Sequence, residues 1–334
     1  MKRLMCIGLL MMALGGCASN TSDENRQIHI GVSVYDEYDT FISELTQYFY
    51  SYATQDGRNI TVEIYSAEKS QLTQNSQVQG MIADACDVIC VNLVDRTAPS
   101  KIIDMARNSN TPVIFFNREL VSEDLLRWKK LYYVGADAYQ SGQLQGESAA
   151  AYLREHPEAD RNGDNMIQYF VLEGEAGHQD AIIRSESSVD KILEEGIVLE
   201  KEGYAIADWS RTQAQTQVAL LIKENRNVEL ILANNDDMAL GAIDAYRNAN
   251  IKKEDRPAIF GIDGTEVGLE AVLSRELDGT VFNDMKGQAE AMFALAKALS
   301  LGEPLDGLGL IDNKYIRLPY EAISLDNIDK YLEE

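Results

Sequence analysis

A short acidic segment, DRNGDNMIQ at residues 160–168, has the residue types and spacing of a calcium-binding loop. A loop of EF-hand type takes oxygen ligands at positions 1, 3, 5, 7 and 9, the seventh through a backbone carbonyl. Position 12, normally a bidentate Glu, is Val171 here, and position 6, normally Gly, is Asn165. The segment therefore predicts either a calcium site completed by a distant carboxylate or an acidic turn, since Asp, Asn and Gly also dominate turns.

The segment GEAGHQDAIIR, residues 174–184, brings a neutral, an anionic and a cationic hydrogen-bonding group together after an apolar run. His178, Asp180 and Arg184 stand where a predicted strand ends and a predicted helix begins. In open α/β sheets, ligands bind at the carboxyl ends of the strands. The alternative is helix capping, with Asp180 as a first-turn acid and Arg184 as its partner four residues on.

Other predicted strands also end on polar or aromatic side chains. One such residue is more often a helix N-cap than a ligand group, and Asp39, Asp236 and Asp263 could serve only as caps. Repetition on strand after strand, with Phe41 and Trp209 included, exceeds what capping requires. The remaining residues of this kind are Asn117, Arg118, Asn235, Asn283 and Asp284.

This mixture of side chains suits a neutral, polyhydroxylated ligand. A sugar hydroxyl both donates and accepts, so its site needs acceptors such as Asp, donors such as Arg and mixed groups such as Asn. An aromatic ring covers an apolar C–H face of a pyranose. Phe41 and Trp209 come from distant parts of the chain and predict a sandwich across a cleft, although Phe41 could be a core residue and Trp209 a buried loop anchor.

Short apolar runs such as IHIGVSVY, DVICVNLV and VELILAN alternate with amphipathic stretches such as 41–53, 141–154 and 237–248. Strands that alternate with helices predict the α/β class, with doubly wound, Rossmann-like parallel sheets. The strands are too many for one compact sheet, so we expect two such domains.

The amino terminus has the features of an export signal. Lys2 and Arg3 precede an apolar run at residues 4–14, which is too short to span a membrane. The run ends in Leu-Gly-Gly-Cys17, which resembles a bacterial lipobox; an ordinary signal peptide is the alternative. We expect a signal peptide at 1–16 and a lipidated Cys17 with a polar tether at 17–27, so that acyl chains anchor the exported protein.

Composition excludes some partners. The formal net charge is −24 and no basic stripe exists for phosphate groups, so nucleic acid is not expected. Cys86 and Cys90 are the cysteines that remain beyond Cys17. Cys90 lies in a predicted strand and is expected to be a small buried hydrophobe, with a disulfide to Cys86 as the less favoured alternative.

The order of these motifs resembles the galactose/glucose-binding proteins of bacterial ABC sugar transporters, which have the periplasmic binding protein type I fold. The loop without its Glu leads into a strand and then GExGHxDAxxR, and the match extends over the chain after about residue 27. The phrases that carry it also include VSVYDEYDTF, VNLVD, VIFFNRE, YYVGAD, LANNDDMALGA, FGID, GTVFND and IDNKYIRLPY.

The resemblance implies a ligand, a metal and their residues. Phe41 and Trp209 would clamp D-galactose or D-glucose, and Asp39 would accept from the C4 hydroxyl of either epimer. Glu229 would be the distant carboxylate of a structural calcium site. The implied sugar contacts are Asp39, Phe41, Asn117, His178, Asp180, Arg184, Trp209, Asn235, Asp263 and Asn283. The implied calcium ligands are Asp160, Asn162, Asp164, Met166 through its carbonyl, Gln168 and Glu229.

The resemblance also implies topology and partners. One lobe would comprise 28–136 and 283–319, the other 137–282 and 320–334, joined by a three-segment hinge. The lobes would close on the sugar, and an ABC permease would recognise the closed form. We expect an exported, lipid-anchored monomer at the cell surface or in the periplasm, and a chemotaxis receptor is an open further partner.

Two other functions share these features. A glycosidase would use a carboxylate pair among Asp39, Asp180, Asp236 and Asp263. Against it, we expect Arg184 to keep Asp180 ionised rather than a proton donor. A repressor's sensor domain would need an N-terminal helix-turn-helix, where this chain has an export signal. We therefore expect a binding protein and not an enzyme.

Overall fold

Two mainly parallel β-sheets, each covered by helices, form the part of the chain that the computed structural model describes, residues 26–332. The predicted signal peptide, Cys17 and most of the tether lie outside the described residues, so the lipid anchor stays a prediction. Between residues 26 and 332, no helix is both long and apolar enough to cross a membrane.

The elements follow each other in the alternating order that the sequence predicts. The strands are β1 (Ile28–Val34), β2 (Ile60–Ser66), β3 (Val88–Val91), β4 (Val113–Phe116), β5 (Leu131–Ala136), β6 (Ile167–Glu173), β7 (Leu199–Ile206), β8 (Leu230–Ala233), β9 (Ala258–Phe260), β10 (Thr280–Asn283), β11 (Tyr315–Leu318) and β12 (Tyr320–Ile323). The helices are α1 (Thr40–Gln55), α2 (Gln71–Ala83), α3 (Ser100–Ser109), α4 (Ser122–Leu125), α5 (Ala138–Glu155), α6 (Gln179–Glu194), α7 (Arg211–Lys223), α8 (Asp236–Asn248), α9 (Glu266–Leu273) and α10 (Met285–Leu301).

The first sheet has six parallel strands in the order β11-β5-β4-β3-β1-β2, and we call it and its helices lobe 1. The second has four parallel strands in the order β7-β6-β8-β9, and we call it and its helices lobe 2. Strand β10 is bridged to the edge of lobe 2 next to β9. This confirms the predicted α/β class with two doubly wound sheets.

Apolar runs become central strands because helices cover both faces of each sheet. Every residue of β3, β4 and β8 is buried. In lobe 1, Phe49 of α1 and Phe293 of α10 meet edge to face, with ring centroids 6.0 Å apart. Burial of such side chains stabilises each lobe by about 1.5–3 kcal/mol per large apolar residue.

The chain passes between the lobes three times. It leaves lobe 1 between β5 and α5, returns between β10 and α10, and leaves again between β11 and β12. These three connections lie side by side, because β12 pairs with β10 and α5 packs against both. The carboxyl ends of strands from both sheets therefore face one cleft.

Two strands, one strand direction and the state of the cysteines differ from the sequence-based expectations or decide between two alternatives. Strands β11 and β12 were not anticipated, and β12 runs antiparallel to β10 in an otherwise parallel arrangement.

Cys86 and Cys90 are both buried free thiols, so the disulfide alternative is wrong. Burial raises the pKa of the Cys86 thiol to about 12, which makes it a poor nucleophile.

Candidate functional site

A polar chamber with an empty volume of about 360 Å³ lies between the lobes, at the carboxyl ends of strands from both sheets. The structure brings together every predicted sugar contact except Asn283, and adds Tyr35 and Arg118. The lining residues are Tyr35, Asp39, Phe41, Asn117, Arg118, His178, Asp180, Arg184, Trp209, Asn235 and Asp263.

Asp39 combines helix capping with a place in the chamber wall. Its Oδ1 accepts from the backbone N–H of Ile42, 3.0 Å away, and so caps α1. Its Oδ2 accepts from the Tyr35 hydroxyl at 2.5 Å. These two bonds fix the carboxylate and leave the remaining lone pairs of both oxygens for a ligand.

His178 is held in one tautomer by the helix that it caps. Its Nδ1 accepts from the backbone N–H of Asp180 at 3.1 Å, so the ring proton sits on Nε2. Burial lowers the pKa of His178 well below its ordinary value, and Arg118 and Arg184 lower it further. The imidazole is therefore a neutral donor at the chamber.

The pKa of the Asp180 carboxyl is raised, although its neighbour Arg184 alone would lower it. Burial raises the pKa of the Asp180 carboxyl, and this outweighs the lowering by Arg184. Asp180 is half-buried and lines the chamber. The sequence-based expectation considered Arg184 alone, whereas burial has the larger effect on the pKa of Asp180.

Arg184 is buried and mostly satisfied, but one N–H has no partner. Its NH1 donates to the carbonyl of Asn234 at 2.7 Å and its NH2 to the Tyr320 hydroxyl at 3.0 Å. NH2 also lies 3.7 Å from Oδ1 of Asp263, whose pKa burial raises well above its ordinary value. The Nε–H of Arg184 is buried without a hydrogen-bond partner. A ligand hydroxyl would satisfy that donor.

The asparagines are positioned by turns and caps. Asn117 takes a left-handed backbone with φ 59°, and its Oδ1 accepts from Asn92 at 3.1 Å. Asn235 caps α8 by accepting from the backbone N–H of Met238 at 2.9 Å. Asn283, which does not line the chamber, hydrogen-bonds Asp263 from behind and lowers the pKa of that carboxyl against the effect of burial.

The two aromatic side chains lie in different environments. Phe41 belongs to the lobe 1 core, with 5% of its surface exposed, and also lines the chamber. Trp209 is half-buried and meets the His178 ring edge to face, with centroids 5.1 Å apart. A Cβ at Gly174 would lie 2.2 Å from the Trp209 ring, so the absent side chain there makes room for it.

Asp236 and Asp263, which could have been helix caps, turn out not to cap helices. Asp263 is no cap, because Thr265 caps α9. Asp236 follows the cap of α8 and lies outside the chamber lining, where it accepts from the Thr280 hydroxyl at 2.5 Å. Burial raises the pKa of Asp236 to about 7. Its role is to join α8 to the neighbouring loops of lobe 2.

Hydrogen bonds and an ion pair cross the cleft, so the lobes are closed on each other. The hydroxyl of Thr40 in lobe 1 donates to Oδ2 of Asp237 in lobe 2 at 2.6 Å. Glu44 of α1 accepts from the backbone N–H of Glu266 at the start of α9. Burial and the negative charge of Glu266 raise the pKa of Glu44 to about 7.

All of the predicted calcium ligands lie in or beside one loop of lobe 2. Glu229, just before β8, is 1% exposed, and its Oε1 accepts from the backbone N–H of Arg161 at 2.8 Å. Gln168 donates to Oδ2 of Asp164 at 3.0 Å. Asn165 adopts the left-handed conformation expected at that position, with φ 63°.

The donor chemistry of this loop fits calcium. Carboxylate, amide and backbone oxygens are the ligands that this ion takes. Within the described part of the chain, no three His, Cys, Asp or Glu side chains are arranged to hold a metal by themselves. A calcium ion would therefore also depend on the oxygens of Asn162, Gln168 and the Met166 carbonyl.

Comparison with known proteins yields one family. The model of the periplasmic binding protein domain matches residues 30–304. The chain is 31% identical, over 96% of both chains, to the D-galactose/methyl-galactoside binding periplasmic protein MglB of Haemophilus influenzae. It is 30% identical to a xylitol-binding protein of Mycolicibacterium smegmatis, over 98% of this chain and 84% of that one.

A solved structure gives the same picture. An ABC transporter solute binding protein from Bacillus halodurans with bound myo-inositol has a TM-score of 0.79 and 29% identity, over 93% of this chain and 99% of that one. The first two are named as binding proteins for a hexose and a pentitol, and the third is a solute binding protein whose structure holds a cyclitol. Family membership therefore identifies a kind of protein and leaves its ligand open.

Proposed function

The chain belongs to the periplasmic binding protein family, and on that premise we propose that it binds D-galactose and D-glucose for uptake by an ABC transporter. It performs no chemistry on the sugar. The ligand lies in the chamber between the lobes, and the closed form is what the permease recognises.

The balance of charges in the chamber carries this proposal. Three carboxylates, those of Asp39, Asp180 and Asp263, face two guanidinium groups, those of Arg118 and Arg184. Because groups of both signs line the chamber, a charged ligand of either sign would meet like charges there as well as opposite ones. A neutral molecule with many hydroxyls satisfies both kinds of group without adding charge.

The aromatic side chains of the chamber indicate that the ligand contains a ring. Phe41 and Trp209 offer apolar surfaces to the ligand. A pyranose has flat C–H faces that can pack against them, and an open-chain polyol has no such flat face. Asp39 accepts from the C4 hydroxyl, the position at which galactose and glucose differ. The relative that binds D-galactose has the highest identity of those compared above, which supports a hexose over a polyol.

Export and anchoring complete the proposal. Residues 1–16 direct export and Cys17 carries the acyl chains, so the binding protein stays close to its permease at the membrane. A short lipid tether raises the effective concentration of the binding protein at the transporter.

We further propose a structural calcium ion at the loop of residues 160–168. Asp160, Asn162, Asp164, Gln168, Glu229 and the Met166 carbonyl would hold it. The ion would supply positive charge to which the surrounding oxygens bind, and so would tie the loop to β8. Glu229 supports this by its position, because its buried carboxylate already contacts the loop, where its Oε1 accepts from the backbone N–H groups of Arg161 and Asn162.

Calorimetric titration of the purified protein with galactose, glucose, ribose, xylose and myo-inositol tests the ligand assignment. We expect one site per chain with micromolar or tighter affinity for the two aldohexoses, and at least about 100-fold weaker binding of the other three. Equal or tighter binding of ribose, xylose or myo-inositol would refute the assignment.

A further inference from the structure

Arg118 and Glu175 form an ion pair that joins the two lobes. Arg118 follows β4 of lobe 1 and Glu175 follows β6 of lobe 2, and NH2 of Arg118 lies 2.9 Å from Oε2 of Glu175. Because the two side chains come from different sheets, opening of the cleft separates them. The pair therefore exists only in the closed form.

Arg118 is already fixed by lobe 1 alone. Its NH1 donates to the carbonyl of Val94 at 2.9 Å, and its guanidinium carbon lies 3.6 Å from the centre of the Tyr35 ring. Tyr35 is held in turn by its bond to Asp39. These contacts within lobe 1 already order the Arg118 side chain, so closure costs it little conformational entropy.

Glu175 belongs to the same turn as a chamber residue. Its carbonyl accepts from the backbone N–H of His178 at 3.0 Å, so the turn that presents His178 to the chamber also presents Glu175 to Arg118. Arg118 lines both the chamber and an outer cavity that Glu175 helps to form. The ion pair thus lies between the chamber and this outer cavity.

We propose that the Arg118–Glu175 pair is a latch that holds the lobes closed and slows release of the ligand. Glu175 does not line the chamber, so it acts on the lifetime of the closed form and not on the identity of the sugar. This inference rests on the proposed function, because a latch matters only where a ligand is held.

The matched control is an ion pair within one lobe. Oε2 of Glu202 on β7 lies 2.7 Å from NH2 of Arg226, and both residues belong to lobe 2. Glu202→Gln removes the same charge and the same kind of partner as Glu175→Gln. It should leave ligand release unchanged, because that pair does not depend on closure.

Stopped-flow measurement of galactose dissociation from the purified protein is the test. Glu175→Gln should raise the dissociation rate constant about three- to tenfold, since Glu175 is 43% exposed and its pairing is partly screened. The ratio of galactose to glucose affinities should stay at the wild-type value. Higher salt should speed release from wild type and Glu202→Gln more than from Glu175→Gln.

The outcomes separate the latch from the proposed function. If wild type binds galactose and Glu175→Gln releases it at the wild-type rate, the latch is refuted and the sugar assignment stands. A changed sugar preference in Glu175→Gln also refutes the latch, because it would place Glu175 against the ligand. If wild type binds none of the sugars, the proposed function is overturned and the latch with it.

Discussion

Replacement of Asp180 by Asn tests the role of charge in the chamber with almost no change of shape. Asp180 is the second residue of α6, and burial raises the pKa of its carboxyl despite the nearby Arg184. An Asn side chain keeps the volume and one acceptor but removes the negative charge. Any loss of affinity therefore reports hydrogen bonding to a carboxylate.

The magnitude follows from the two kinds of hydrogen bond. A bond to a charged group contributes about 1.5–3 kcal/mol, and a neutral bond about 0.5–1.5 kcal/mol. With one or two sugar hydroxyls on Asp180, the substitution should cost about 1–3 kcal/mol. The dissociation constant for galactose should therefore rise about 5- to 150-fold.

Stability should change much less than affinity. Loss of a first-turn acid costs a helix about 0.3–1 kcal/mol, and removal of a buried charge offsets that cost. The melting temperature of the sugar-free protein should therefore stay within about 3 °C of wild type. Asp190→Asn is the control, because Asp190 is exposed and lies on the same helix.

Isothermal titration at neutral pH with both variants and wild type gives the result. The reasoning is refuted if Asp180→Asn binds galactose within about twofold of wild type while Asp190→Asn does the same. It is also refuted if Asp180→Asn loses affinity only together with its fold, which the thermal melt would reveal.

Three further predictions concern other parts of the molecule. Trp209→Ala should weaken galactose binding about 10- to 100-fold by titration, while Trp209→Phe should retain most of the affinity, because the ring covers a sugar face. Chelation should lower the melting temperature of calcium-loaded protein, and Glu229→Gln should abolish that response; an unchanged melt in protein shown to contain calcium would exclude the structural ion. In the closed form, burial and the charges of Glu266 and Asp237 in lobe 2 raise the pKa of Glu44 to about 7. Opening removes those charges from Glu44, so the closed form should take up a proton and affinity should rise as the pH falls from about 7 towards 5. Glu44→Gln should flatten that profile, and an equally steep profile would exclude Glu44.

The fold was predictable because apolar runs and amphipathic helices alternate along almost the whole chain. Strands β1 to β10 coincide with such runs. Strands β11 and β12 have mixed burial and follow a long loop, so their pairing depends on tertiary contacts that no local pattern contains. The same holds for the antiparallel direction of β12.

The residues of the site were predictable where a side chain directly follows a strand. They were less predictable where a residue's contacts come from distant parts of the sequence. Asp39, His178 and Asn235 act as caps and as chamber residues at once, although capping and binding had been weighed as alternatives for Asp39. Tyr35 was missed altogether, and Arg118 was placed at a strand end but not among the implied sugar contacts. Tyr35 ends an apolar run like a core residue, and the partner of Arg118 lies in the other lobe.

Fluorescence of a single tryptophan tests most directly whether the chamber holds the sugar. Trp128 and Trp209 are the two tryptophans of the chain, and Trp128 is partly buried and packs against the core of lobe 1. In Trp128→Phe protein, galactose should change the emission of Trp209 saturably, with the dissociation constant that calorimetry gives. Calorimetric binding of galactose without any change in that emission would contradict the account.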